Sequence, residues 1–350
     1  MLYQTKNPHG GDIYDGKILL DYSANTNPLG TPPAVLQAIS DALPQLHRYP
    51  DPYCRHLVQA ISDFENVPKE YILCGNGAAE IIYAYCRAVK PALAVETAPT
   101  FAEYSAALTG VGCTVQRYYL RRENNFDLDE GFLDFLIENK PQTVFLCNPN
   151  NPTGRLIPAD LLQKILEFCA DSGVRLFLDE CFLDLSDGGV SAKNLAADYP
   201  QLFILKAFTK SYGMAGVRLG YCICSDAALL AKMSAQVQPW NVSLLAQCAG
   251  VAALSESGFL QKTIQLITAE RQWLKQQLED IGFWVCPSSA NYLLMYGPKG
   301  LHAELKKHGI AVRNCDNYCG LAPGWYRIAV RTHTENEQLI STVRLICGKE

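Results

Sequence analysis

Asp179 and Lys210 have the sequence surroundings in this chain that point most directly to chemistry. Asp179, followed by Glu180, ends the otherwise apolar run VRLFLD at 174–179. A carboxylate there costs several kcal/mol to bury unless a cation meets it, so a positive partner is expected nearby. Lys210 follows the run LFILK (202–206) in the segment Ala207-Phe208-Thr209-Lys210-Ser211-Tyr212-Gly213, with Arg218 trailing. An amine held just past a strand end and partly desolvated suits Schiff-base formation, and a nearby guanidinium fork suits a phosphate. Two other strand ends carry complementary groups. YILC (71–74) leads into Gly75-Asn76-Gly77 and a helical stretch, so free backbone N–H groups and the helix dipole can face an anion. TVFLC (143–147) leads into Asn148-Pro149-Asn150-Asn151-Pro152-Thr153-Gly154, a rigid polar turn that can hold an amide against a ligand. Each feature taken singly has an ordinary structural reading. The ordered set of amide turn, buried acid, Thr-Lys and trailing Arg points to a site.

The elements that must position these groups are legible as an alternation. Short apolar runs at 71–74, 92–96, 143–147, 174–179, 202–206 and 219–224 are separated by longer stretches with helical spacing. One of these, 158–173, stops at Gly173. This is the pattern of an α/β domain with a largely parallel sheet, whose ligands sit beyond the carboxyl ends of the strands. Past about residue 240 the character changes to a long helical stretch, then NYLLMY, IAVRN, WYRIAVR and a closing helix, which reads as a second α+β domain. The proline-rich NPLGTPPA before residue 35 is expected to pack on that second domain as an arm.

Bulk properties exclude several classes. A chain of 350 residues exceeds one typical core and favours a large domain plus a smaller one. A net charge of −5 leaves no basic field for DNA or RNA, so nucleic acid is not an expected partner. The fourteen cysteines are scattered, many inside apolar runs, and are read as reduced thiols of a cytoplasmic protein. Cys222 with Cys224 and Cys315 with Cys319 lack the spacing and nearby histidine of a zinc site, so no metal is expected. The N-terminus has no apolar signal core, and no run reaches the roughly 18 apolar residues of a membrane span.

NPNNPTG, the DE pair, TKxxxxxGxRLG and YRIAVR, in that order and spacing, resemble the fold-type-I pyridoxal-phosphate (PLP) dependent aminotransferase family, class I/II, across nearly the whole chain. The resemblance implies an α/β transferase fold with three parts: an N-terminal arm (1–35), a large cofactor-binding domain with a mostly parallel seven-stranded sheet (36–240), and a small α+β C-terminal domain (241–350). By the same resemblance Lys210 is the Schiff-base lysine, Asp179 the partner of the pyridinium nitrogen, Asn151 a donor to the ring hydroxyl, and Phe101 the aromatic stacked on the ring. The cofactor phosphate would be held by the Gly77 and Ala78 N–H groups, Thr209 and Arg218, with Tyr49 of RYPDP reaching in from a second subunit, which implies a homodimer. Two residues depart from the common pattern: Ala207 stands where many relatives have a phosphate-binding serine, and Phe182 where a tyrosine often contacts the ring hydroxyl.

Two subgroups of the family are similar at the chain's ends, the histidinol-phosphate aminotransferases and the threonine-phosphate decarboxylases of cobalamin biosynthesis. His9-Gly10-Gly11 with DYSANTNPLG, QPWNVS (238–243), VRNCDNYCGL (312–321) and Phe182 resemble the decarboxylases. The substrate implied is a small phosphorylated amino acid, its anions met by His9, Asn25, Arg313 and Arg327, with Arg331 a further candidate. Aminotransfer from histidinol phosphate, decarboxylation of serine phosphate and a non-catalytic regulator on the same fold are the alternatives. The bond broken is the one set perpendicular to the cofactor ring, so pose decides between loss of CO2 and loss of a proton.

Overall fold

The computed structural model describes residues 9–14 and 16–348. Its strands are β1 (Leu20–Asp21), β2 (Ile72–Gly75), β3 (Leu93–Ala98), β4 (Thr114–Tyr119), β5 (Thr143–Cys147), β6 (Arg175–Asp179), β7 (Leu202–Ala207), β8 (Gly220–Ile223), β9 (Trp284–Val285), β10 (Tyr292–Tyr296), β11 (Ile310–Ala311), β12 (Arg313–Asn314) and β13 (Trp325–Ala329). The helices are α1 (Pro33–Ala42), α2 (Arg55–Glu65), α3 (Gly77–Val89), α4 (Glu103–Thr109), α5 (Gly131–Asn139), α6 (Ala159–Ser172), α7 (Phe208–Ser211), α8 (Ala227–Ser234), α9 (Leu244–Leu254), α10 (Phe259–Ile281), α11 (Leu301–Lys307) and α12 (His333–Cys347).

Seven strands form one sheet in the order β2-β8-β7-β6-β5-β3-β4, and every neighbouring pair is parallel except the two made by β8. The expected α/β architecture and strand number are therefore present. The central strands are buried on both faces, as parallel strands covered by helices must be, which is why they read as continuous apolar runs. Register lines up Phe145, Phe177 and Phe203 across β5, β6 and β7, and their rings stack at centroid distances of 4.5 and 5.0 Å. Edge strand β4 is the one member of this sheet absent from the apolar runs. Its residues TVQRYY are half-exposed or exposed, so little hydrophobic signal marks them.

The helices obey local rules. In α6, Leu161, Leu162, Ile165, Leu166 and Cys169 fall on one buried stripe, and Gly173 closes the helix in the left-handed conformation at φ 66°. A capping box between Thr332 and Glu335 starts α12. Helix α9 lies against α1 and α2, so the covering layer of the large sheet continues past residue 240.

The C-terminal region holds a four-stranded antiparallel sheet in the order β12-β13-β10-β9, backed by α10 and α12. The N-terminal segment joins it through β1, parallel to β11, and through buried Tyr22. Arg122, from the turn after β4, sits over three rings of that sheet: Trp284, Tyr296 and Trp325, at 4.8, 5.1 and 5.7 Å.

Candidate active site

Strand β3 runs between β4 on one side and β5 on the other, so the chain's winding reverses there. A crevice opens beyond the carboxyl ends of strands at such a reversal. Residues that leave the ends of β3, β5, β6 and β7 meet around it: Phe101, Asn151, Asp179 and Lys210. The cavity measures about 230 Å³ and is completed by Ala78, Thr209 and Arg218 on the sheet side, by His9, Gly10 and Ser23 from the N-terminal segment, and by Arg313, Tyr318 and Arg327 from the C-terminal region.

Asp179 is buried, with 5% of its surface exposed. Its Oδ2 accepts the Tyr104 hydroxyl at 2.5 Å and its Oδ1 the Cys181 N–H at 2.9 Å. Among the described residues no cation pairs with it. Desolvation pushes its pKa up, against the pull of these donors. The positive partner expected for this carboxylate is thus left for a ligand to supply.

Lys210 sits in the cavity wall with its Nζ 5.7 Å from the centre of the Phe182 ring. Burial first, then the charges of Arg327 and Arg218, lower its pKa to about 8. An ordinary lysine is almost wholly protonated near neutrality, whereas this one presents a useful neutral fraction for attack on a carbonyl.

The start of α3 is shaped to face an anion. No side chain caps this helix, so its first N–H groups remain available. Gly77 adopts φ +79°, and a Cβ there would lie 2.7 Å from Arg218 Nη2. A Cβ on Gly220 would come within 2.8 Å of the Ala78 nitrogen. These two glycines let the helix start, strand β8 and the arginine converge. Arg218 itself is exposed and left-handed at φ 61°, a conformation an arginine adopts at a cost.

On the opposite wall Arg327 is buried, its Nη1 donating to Asn151 Oδ1 at 2.5 Å and its Nη2 to the Ser23 carbonyl at 2.8 Å. The Asn25 amide, with its oxygen toward the guanidinium, accepts from Nε at 3.1 Å. Among the described residues no carboxylate neutralises Arg327, so this buried cation also awaits a counter-charge. Arg313 lies beside it, 5.0 Å from the Tyr318 ring, donating to the Asn314 carbonyl and Asn317 Oδ1 at 2.6 and 2.7 Å. His9 Nε2 is 2.5 Å from Glu103 Oε1, and its ring centre is 5.4 Å from that of Phe101. The bond to His9 is the main reason the Glu103 carboxyl is held below its usual range.

A buried acid without a cation, a lysine of lowered pKa, and helix N–H groups beside an arginine match three parts of pyridoxal phosphate: its basic ring nitrogen, its electrophilic aldehyde and its phosphate. The residues fit that group. The profile of the family described as "Aminotransferase class I and II" matches residues 17–343. The chain belongs to this family.

Its relatives include a threonine-phosphate decarboxylase of Salmonella typhimurium, 38% identical over 96% of this chain and 95% of the relative. A histidinol-phosphate aminotransferase of Methanosarcina mazei is 32% identical over 92% of this chain and 86% of its own. Among solved structures, the histidinol-phosphate aminotransferase of Clostridium acetobutylicum superposes with a TM-score of 0.88 at 30% identity, covering 94% of this chain and 99% of that one.

For a class I and II aminotransferase-family chain, most of the residues singled out from the sequence do converge. Lys210, Asp179, Ala78, Phe101, Asn151, Thr209, Arg218, His9, Arg313 and Arg327 all line the cavity. Gly77 lies just behind Arg218, and Asn25 just behind Arg327. Two residues lie elsewhere. Arg331 is not brought to the cavity: its Nε and Nη2 hold Glu335 at 2.9 and 2.5 Å, and its Nη1 donates to the Asp21 carbonyl. The pairing with Glu335 ties it to the start of α12. Tyr49 is exposed and stacks on Trp240 at 4.5 Å, outside the cavity of its own chain. Tyr104, Glu103, Tyr318 and Ser23 belong to the site without having been picked out. The one signal available was their place beside chosen residues: Tyr104 three residues after Phe101, and Tyr318 within VRNCDNYCGL.

Proposed function

We propose that this chain is a PLP-dependent decarboxylase that converts threonine O-phosphate into 1-amino-2-propanol O-phosphate and CO2, as a step of cobalamin biosynthesis. The observation that carries the reading is the wall facing Lys210. There Arg327, buried and without a carboxylate partner among the described residues, together with Arg313 and His9, presents positive or proton-donating groups to one small cavity. A substrate bearing both a carboxylate and a phosphate meets that need. The relative named threonine-phosphate decarboxylase, at 38% identity, supports the same assignment.

In this reading Lys210 Nζ would hold the cofactor through its aldehyde carbon, and its place in the cavity wall would let it carry a proton to or from the substrate. Its pKa near 8 suits either direction of transfer near neutrality. Asp179, buried and held by Tyr104 and Cys181, would pair with a protonated ring nitrogen. When bound, pyridoxal phosphate supplies a protonated ring that takes up the electron pair freed at the substrate's α-carbon. The Gly77 and Ala78 N–H groups, Thr209 and Arg218 would hold the cofactor phosphate, and Phe101 and Asn151 would contact its ring. Arg327, Arg313, His9 and Asn25 would bind and orient the substrate anions, and that orientation decides which bond at the α-carbon breaks.

We infer a cytoplasmic homodimer. Leu36, Leu43, Leu46, Tyr49 and Tyr53 expose 48–78% of their surface along one stretch of chain, and a second subunit packed there would bring Tyr49 toward its partner's site. Of the fourteen cysteines none is paired and only Cys319 is exposed, which suits a reducing compartment. Among the described residues no helix is long and apolar enough to cross a membrane.

The deciding experiment incubates the PLP-loaded protein with threonine phosphate and no keto acid. Stoichiometric CO2 and aminopropanol phosphate are expected. Turnover of histidinol phosphate that requires 2-oxoglutarate and releases no CO2 would instead make the chain an aminotransferase, the activity named for the relative at 32% identity. Serine phosphate lacks one methyl, worth about 1–3 kcal/mol of discrimination, and is expected to be a slower substrate of the same reaction.

A further inference from the structure

Lys210 belongs to α7, a helix of only four residues, Phe208–Ser211. So short a helix cannot satisfy its own carbonyls or fix its own direction, and whatever binds those carbonyls sets where the lysine points. Besides the Gly213 N–H, which reaches the Lys210 carbonyl at 3.4 Å, the group that binds them is Asn27, from the N-terminal segment. Its backbone N–H donates to the Lys210 carbonyl at 3.1 Å, and its side-chain Nδ2 donates to the Ser211 carbonyl at 2.7 Å. The same Nδ2 donates to Thr263 Oγ1 of α10 at 3.0 Å, while Oδ1 accepts the Leu29 N–H at 2.8 Å. Asn27, Ser211 and Thr263 are all buried, with 3%, 0% and 0% exposed. Every hydrogen-bonding atom of the Asn27 amide is therefore committed, and its orientation is fixed from both ends. A little further along, Thr31 Oγ1 donates to the Gly213 carbonyl at 2.8 Å, and a Cβ on Gly213 would sit 2.7 Å from the Gly30 carbonyl oxygen. The N-terminal segment thus lies directly on the turn that carries the lysine.

We propose that Asn27 is a positioning residue for Lys210: by bridging the Lys210–Ser211 carbonyls to Thr263 it sets the reach of the lysine amine into the cavity. Asn27 touches no reacting atom. It acts through the backbone of α7, at the point where a segment that also touches Arg327, through Ser23 and Asn25, meets the lysine. The proposal rests on the reading of Lys210 as the cofactor lysine and is independent of which phosphorylated amino acid is the substrate.

Two variants of the full-length, PLP-loaded protein test it. Asn27→Asp keeps the shape, the backbone N–H and the acceptor for Leu29, but turns a carboxylate oxygen toward the Ser211 carbonyl. Thr263→Val keeps the shape of the other anchor and removes its acceptor. The readouts are the pH midpoint of the visible band given by the lysine-linked cofactor, and kcat separately from KM. Misplacing the amine is expected to move the midpoint by about half a pH unit or more and to lower kcat about tenfold to a hundredfold, with KM within about twofold. Thr263→Val is expected to show the same changes at smaller size. If Asn27→Asp does not fold, Thr263→Val alone decides. Folded variants with an unmoved midpoint and unchanged kcat overturn the proposal, as does a change confined to thermal stability. A wild-type protein without the visible band overturns the cofactor reading and this proposal with it, whereas a normal wild-type band with unaffected variants overturns this proposal alone.

Discussion

Replacing Asp179 by asparagine is expected to make the cofactor-free protein more stable and the cofactor-loaded one weaker. Burying a carboxylate costs several kcal/mol after relaxation. The two donors it has, Tyr104 and Cys181, each return about 1.5–3 kcal/mol as hydrogen bonds to a charged group. No cation among the described residues covers the remainder, and the raised pKa reports that the charged form is still disfavoured. Asparagine has the same shape, carries no charge, and can accept from the Cys181 N–H while the Tyr104 hydroxyl turns to accept from its amide. A gain of about 1–2 kcal/mol follows, because a neutral group of similar shape is far less costly to bury. The pH dependence has a defined sign. A carboxyl whose folded pKa is raised contributes its stability at low pH and loses it as pH rises from the ordinary carboxylate range through the raised value. The advantage of Asp179→Asn over wild type should therefore grow over that interval and then level off. In the loaded protein the variant forfeits a buried charge pair with the ring nitrogen, worth about 2–5 kcal/mol, or roughly 30- to 4,000-fold in affinity. Thermal unfolding of cofactor-free protein from pH 4 to 8, together with PLP titration, measures both terms. A cofactor-free variant less stable than wild type by more than about 1 kcal/mol, or PLP affinity within about threefold of wild type, would refute the reasoning.

Other predictions follow from the same geometry. Lys206 is buried and pairs with Glu65 and Asp184 at 2.9 and 2.8 Å, so Lys206→Met should cost about 3–5 kcal/mol in denaturant unfolding, with a large part recovered in Lys206→Met/Glu65→Gln. Burial would raise the Glu65 pKa, but Lys206, Lys193 and Tyr221 hold it at about 2, so its stabilisation should be present above the ordinary glutamate pKa and lost only as pH falls toward 2, as acid unfolding will show. Arg327→Met should raise the KM for threonine phosphate about a hundredfold, whereas Arg331→Met, which breaks the pairing with Glu335 and the bond to the Asp21 carbonyl, both away from the cavity, should leave KM within about twofold and cost about 1 kcal/mol. In cofactor-free protein, amine-labelling rates at Lys210, followed by peptide mass spectrometry, should titrate with a midpoint near 8, well below that of surface lysines.

The site was legible in the sequence wherever a polar residue interrupts an apolar strand. Asp179 at the end of β6 stands out because strand burial makes a charge there costly, a point that holds before any fold is known, whereas Lys210, past the end of β7, stands out only as a member of the ordered set of amide turn, acid, Thr-Lys and trailing Arg. Strand β4 was not legible, since an edge strand with TVQRYY carries neither a continuous nor an alternating apolar pattern. Arg331 shows the limit for arginines. Nothing in YRIAVR says which guanidinium will find a carboxylate four residues on, and Glu335 happens to lie there for Arg331, while Arg327, four residues earlier within β13, faces the cavity. Tyr104 and Asn27 were hidden for another reason. Their roles depend on contacts 75 and 184 residues away in the chain, which no local pattern encodes.

The Arg122 box carries a practical consequence for following the protein in solution. Trp284 and Trp325 are two of its four tryptophans, and both lie under one guanidinium contributed by the large-sheet side of the molecule. Any motion that lifts the 122–124 turn from the C-terminal sheet withdraws a cation from two indoles at once, and exchanges a protein neighbour for water around them. The emission of these tryptophans is thus a label-free gauge of the seam between the two sheets. Arg122→Met would keep the packing while removing the charge, and so give the reference spectrum against which a ligand-driven movement can be read.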